Sequence, residues 1–156
     1  REYLHPNTFY TEGPGWPVIE TPLSGAQCIH DMIIQSWGGT IRVFPAAPDN
    51  WDHLVFHDIL TEGAFLVSAL REKGKTKFIR IKSRAGEPCR IIPGLEGEVH
   101  VSGKRNFDLQ ELNPGVFTVD LKKGEEVILW TGIRMPVLTV LPVPAEKDKC
   151  NSYGIN

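Results

Sequence analysis

Residues 117–130 read FTVDLKKGEEVILW, and further upstream residues 78–83 read FIRIKS. In the first stretch Phe117, Val119 and Leu121 fall on one face, and Thr118, Asp120 and Lys122 on the other. In the second, Phe78, Ile79 and Ile81 oppose Arg80 and Lys82. A period of two marks strands with one buried face. The Lys73-Gly74 pair and the Lys122-Lys123-Gly124-Glu125 turn predict tight hairpin connections. Working outward, the Val-, Ile- and Phe-rich segments predict strands over Ile41–Phe44, Leu54–Leu60, Ala64–Arg71, Thr76–Ser83, Pro88–Ile92, Glu98–Ser102, Val116–Leu121, Val127–Trp130 and Val137–Leu141. Short strands at regular spacing with no helix between them predict a mainly β fold, an antiparallel β-sandwich of about eight or nine strands.

One helix precedes them. Residues 21–37, TPLSGAQCIHDMIIQSW, carry Leu23, Ala26, Ile29, Ile33 and Trp37 at steps of three and four. Thr21 is the expected cap, Pro22 suits the first helical position, and Gly38-Gly39 is the stop. Cys28, Met32 and Ile34 add apolar surface on neighbouring faces. Burying this helix would contribute about 10–15 kcal/mol gross, so it calls for cover on more than one side. Before it, residues 1 to 20 are irregular but hold Tyr3, Phe9, Tyr10 and Trp16, which favours a docked loop over a solvated arm.

The chain has 156 residues, 41% hydrophobic and 23% charged, ordinary values for a globular protein. Its 15 glycines and 12 prolines point to many turns. A net charge of −2 gives no electrostatic footprint for nucleic acid. No apolar run approaches the length of a membrane span. Cys28, Cys89 and Cys150 are too few and too scattered for a disulfide framework or a zinc knuckle.

The candidate chemistry is sparse. His53 and His57 would converge on one metal only on a helix, and their context is strand-like. Cys28 and His30 point in different directions from a helix. No metal site or cofactor is therefore expected. Ser24 in TPLSG lacks the strand and the first glycine of a nucleophile elbow. Glu20 stands just before the helix. Its charge suits the helix dipole, and it also suits a catalytic or substrate-binding carboxylate at a pocket rim, flanked by Trp16. Glycosidases use two carboxyl groups, and Glu12 and Asp31 are the nearest partners in sequence. Trp16 is the leading sugar-stacking candidate among the four tryptophans.

Two longer stretches, IETPLSGAQCIHDMIIQSWGGTIRVFPAAPDNW (19–51) and TEGAFLVSALREKGKTKFIRIKSRAGEPCRI (61–91), resemble the C-terminal part of family 95 glycoside hydrolases of the α-L-fucosidase type. The second ends in that family's S-x-x-G-x-P-C turn, here Ser83 to Cys89. The resemblance implies a last helix from an (α/α)6 barrel within 1–39, a C-terminal sandwich over 40–144 and a tail over 145–156. It implies a parent that removes terminal α-L-fucose or a related α-glycoside with inversion, is periplasmic or secreted, and meets its glycan through the barrel of the same chain. Aligned through Gln35-Ser36, the family's water-activating aspartate falls on Glu20, followed by Thr21, Pro22 and Leu23 where the family has Gly, Asn and Phe. The general acid lies in an earlier barrel segment, so this chain alone is expected to be inactive and structural. The competing readings are a free-standing carbohydrate-binding sandwich and a protein-interaction domain.

Overall fold

The computed structural model describes residues 10–12 and 15–140, and Asp31–Val140 form a compact unit by themselves. Before that unit, β1 (Tyr10–Glu12) and β2 (Trp16–Val18) pair antiparallel; α1 (Glu20–Ile33) follows, and its last turn, from Asp31, is already part of the unit. The compact unit is built from two five-stranded sheets. The first holds β3 (Ile34–Gln35), β4 (Ile41–Val43), β8 (Cys89–Ile92), β10 (Leu109–Asn113) and β11 (Val116–Val119), in the order β10-β11-β8-β4-β3. The second holds β5 (His53–Thr61), β6 (Phe65–Glu72), β7 (Lys75–Ser83), β9 (Val99–Gly103) and β12 (Glu126–Thr131), in the order β5-β6-β7-β12-β9. The fold is thus mainly β, a sandwich, as its sequence predicts.

The inner faces supply one core. Ile41, Val43, Cys89, Ile91 and Val119 come from the first sheet, and Phe56, Phe65, Val67, Ala69, Ile79, Ile81, Val127 and Leu129 from the second. Outward neighbours are polar: in β8 Cys89 and Ile91 are buried while Arg90 is exposed. Lys73 and Gly74 both take positive φ, 51° and 72°, as a two-residue type I′ hairpin between β6 and β7 requires.

Several expectations are corrected. The predicted helix stops at Ile33, four residues short of Trp37. Ile34 is instead 1% exposed in the core and pairs with Val43, while Gln35 pairs with Arg42. The N–H groups of Phe44 and Ala46 reach the carbonyls of Ile33 and Met32, at 2.8 and 3.2 Å, which satisfies the end of the helix. At the other end the Ile19 carbonyl accepts the Leu23 N–H at 3.2 Å. Ile19 therefore occupies the cap position, and Pro22 falls third, still within the turn whose N–H groups lack partners.

The Lys122–Glu125 turn is tight but is not a hairpin. It carries the chain from β11 in the first sheet to β12 in the second, and Leu121, fully buried, marks the crossing. Nor is the sandwich wholly antiparallel, because β4 and β8 pair in parallel. The chain leaves the first sheet after β4, builds β5 to β7 in the second, and returns as β8, a crossover long enough for parallel pairing. Phe78 lies across from Leu70 and Trp130, away from Ile79 and Ile81. Leu70 and Phe78 are buried outside the main core cluster. Residues 137–140 form no strand, and Val137 and Val140 are exposed there. Leu109–Asn113 is a strand with no forecast in the sequence.

Candidate functional site

Glu20 opens α1 and is exposed. Trp16, on β2 opposite Glu12, is 77% exposed. The Glu12 side chain lies outside the described residues, as do Tyr3, Phe9 and Cys150. The backbone carbonyl of Asp31 accepts the Gln35 side-chain amide at 3.0 Å. Among the described residues no three His, Cys, Asp or Glu side chains gather to hold a metal. The exposed His53 starts the edge strand β5, in keeping with its strand-like context. Burial pushes the Cys89 thiol up to about 12, which leaves it unreactive at neutral pH.

Polar chemistry concentrates in three places on the sandwich. The first is a bulge in β5. Between Phe56 and Ile59 the pairing with β6 slips, and Asp58 takes φ 52°, a conformation that its short polar side chain tolerates. Ser68, fully buried, accepts the Asp58 N–H at 2.9 Å and donates to its Oδ1 at 3.1 Å. Arg80 Nη2 reaches the same Oδ1 at 2.8 Å and His57 Nε2 at 2.9 Å. An arginine can only donate, so His57 Nε2 accepts and the ring proton sits on Nδ1, 3.4 Å from Asp58 Oδ2. Burial pushes the Asp58 carboxyl up, but hydrogen bonds from Arg80 and Ser68 and the Arg80 charge together hold it below its ordinary value. These bonds, all through Arg80 Nη2 and the Ser68 hydroxyl, pin the bulge.

The second is a cleft of about 490 Å³ lined by Pro88, Arg105, Asp108, Gln110, Thr118 and Asp120. Its arginine is committed. Arg105 makes a two-bond fork to Glu125, at 2.8 and 2.9 Å, donates to the Asp120 carbonyl at 3.0 Å, and lies 4.4 Å over the Phe107 ring. It ties the β9–β10 connection to the crossover turn.

The third lies on the outer face of the first sheet, where Arg42 and Arg90 point away from the buried Ile41, Val43, Cys89 and Ile91. Thr40, Arg42, Arg90, Ile92, Leu112, Asn113 and Val116 line a cleft of about 300 Å³. Beside it, Trp37 is 62% exposed yet held. Its Nε1–H donates to Gln35 Oε1 at 3.2 Å, and the Arg42 guanidinium lies 4.0 Å over its ring. Arg42 Nη1 donates to the carbonyls of Trp37 and Thr40, each at 3.0 Å. Sequence reasoning assigned Trp37 to the helix and singled out neither arginine. The available signal was the strand alternation in TIRV and PCRI, which turns both arginines outward.

A helix followed by a two-sheet sandwich, with polar clefts on its outer face, describes a β-sandwich domain. The family model for the glycoside hydrolase family 95 C-terminal domain matches residues 35–129, from β3 into β12. The chain belongs to that family and is the C-terminal region of a family 95 glycoside hydrolase. The match starts after α1, so Trp16 and Glu20 lie outside it. A comparison with curated proteins gave no match.

Proposed function

We propose that this chain is the non-catalytic accessory sandwich of an exported enzyme that hydrolyses α-L-fucosides or related α-glycosides with inversion. The sandwich covers and orients an (α/α)6 barrel in the same polypeptide, and the glycan is met there. The observation that supports this is the family match across the sandwich, from β3 to β12. A second fits it: Leu23 and Ile29 of α1 are 60% and 54% exposed, apolar surface of the kind a neighbouring helix layer would cover. Glu20 is the base-side carboxylate of the parent, with Trp16 beside the sugar. Inversion needs an acid and a base about 6.5–9.5 Å apart on opposite sides of the ring, and the acid belongs to the barrel.

The test is an assay of the full-length parent on aryl α-L-fucosides and α-galactosides, with the anomer of the first product read by NMR. Glu20→Gln is expected to lower kcat by about 10²–10⁴-fold with unchanged thermal unfolding. Unchanged turnover returns Glu20 to the helix-dipole role. Retention of configuration refutes the inverting mechanism.

A further inference from the structure

We infer that the cleft between Arg42 and Arg90 on the sandwich is a binding site for an anionic saccharide, one whose ring carries a carboxylate or a sulfate ester. The inference is independent of Glu20 and of the parent's reaction.

The argument begins with charge. Arg42 and Arg90 sit on adjacent parallel strands and line one cleft. Among the described residues Arg90 makes no hydrogen bond or ion pair, and Arg42 bonds only to backbone carbonyls through Nη1. Among the described residues neither guanidinium forms an ion pair with a carboxylate. That sets them apart from Arg80, which reaches Asp58 at 2.8 Å, and Arg105, which reaches Glu125 at 2.8 Å. Two like charges gathered without a counter-charge repel each other, and an anion between them relieves the repulsion. Guanidinium groups match carboxylate and sulfate oxygens through paired N–H donors. Fixing Nη1 leaves Nη2 and Nε of Arg42 for that purpose and removes much of the ordering cost.

The rest of the lining selects a sugar over a bare ion. Thr40 and Asn113 offer a hydroxyl and an amide, while Ile92, Leu112 and Val116 form an apolar wall. Trp37 supplies the platform. One face of its indole takes Arg42, and 62% exposure with that face covered leaves the rest of the ring open. An exposed tryptophan is ordinarily free to turn; this one is fixed at its N–H and across its face. A fixed aromatic surface beside hydrogen-bonding groups is what stacking of a pyranose requires.

The test is a calorimetric or NMR titration of the full chain and of the full-length parent. The probes are trigalacturonate, a sulfated galactan trisaccharide, neutral maltotriose and sodium sulfate alone. At least one charged trisaccharide is expected to bind with a Kd of about 0.1–1 mM, weakening as salt rises, with maltotriose and sulfate at least tenfold weaker. Arg90→Ala should weaken binding by about tenfold or more, and Trp37→Ala should weaken the trisaccharide without changing what little sulfate binds. Both side chains are exposed, and an unchanged unfolding midpoint shows that each variant is folded. No binding at about 10 mM, equal binding of sulfate alone, or indifference to Arg90→Ala overturns the site. Binding by the chain but not by the parent also overturns it, because the face is then buried in the whole protein.

Discussion

The helix and the sandwich spend their apolar residues differently. In α1, Leu23 and Ile29 stay more than half exposed and no residue is buried. In the sandwich, Val67, Ala69, Ile79, Ile81, Cys89, Ile91, Val127 and Leu129 are fully shielded from water. The two regions are equally hydrophobic to the eye. What separates them is pairing: each sheet offers its apolar face to the other, whereas a helix greasy around much of its girth needs several neighbours. A region that completes its own core can be read as a domain, and one that does not points beyond itself.

The sharpest way to break that contrast is to cut into each region equally. Ile79→Ala removes a fully buried side chain from the middle of β7 and is expected to cost about 3–4 kcal/mol in urea unfolding of the chain. Gly103→Ala tests the sheet edge. A Cβ there would press on the Phe107 ring and stand 2.8 Å from the Glu126 carbonyl, so a loss of about 1–3 kcal/mol is expected. Leu23→Ala, on the helix, should change the stability of the chain by no more than about 0.5 kcal/mol. In the full-length parent, where the proposed barrel covers that side chain, the same change should cost about 2–4 kcal/mol. Equal small effects in chain and parent would remove the barrel contact from the proposal.

The contrast also explains what the sequence could and could not disclose. Alternation in FTVDL and in EVILW was legible because one face of each strand meets the core. It misled at Phe78, because a buried residue on the far face of β7 looks the same in sequence as one in the core. Ile34 and Gln35 continue the helical period of α1, and only their pairing with β4, a long-range contact, turns them into strand. Strand β10, LQELN, is an edge strand exposed along most of its length, so it carried too little apolar pattern to be seen. The Lys122–Glu125 turn announced a tight reversal but not that it joins two sheets. The S-x-x-G-x-P-C stretch carries a family resemblance, and its physics appears only in three dimensions. Ser83 Oγ accepts the Gly86 N–H at 2.9 Å, and Gly86 has φ 93° with no room for a Cβ, which would lie 2.8 Å from the Lys123 nitrogen. Of the candidate site, Glu20 and Trp16 were visible as residue types. The Trp37, Arg42 and Arg90 grouping depends on β3, β4 and β8 lying side by side.

The smallest effect tests how the sandwich holds its crossover. Glu125 accepts the fork from Arg105 and the Lys122 N–H at 2.9 Å, and these bonds pull its carboxyl from 4.5 down to about 2. A carboxyl lowered in the folded state favours folding where it is ionised. That contribution is complete above about pH 4.5 and fades as the pH falls toward about 2. Glu125→Gln, which cannot ionise, should be slightly less stable than the native chain at neutral pH. The gap should close as urea midpoints are measured downward through that window, since a protonated Glu125 is electrically the same as glutamine. A gap that stayed constant down to about pH 2 would mean that the turn is held by its backbone bonds, Glu125 N–H to Lys122 and Gly124 N–H to Ser83, and not by the arginine fork.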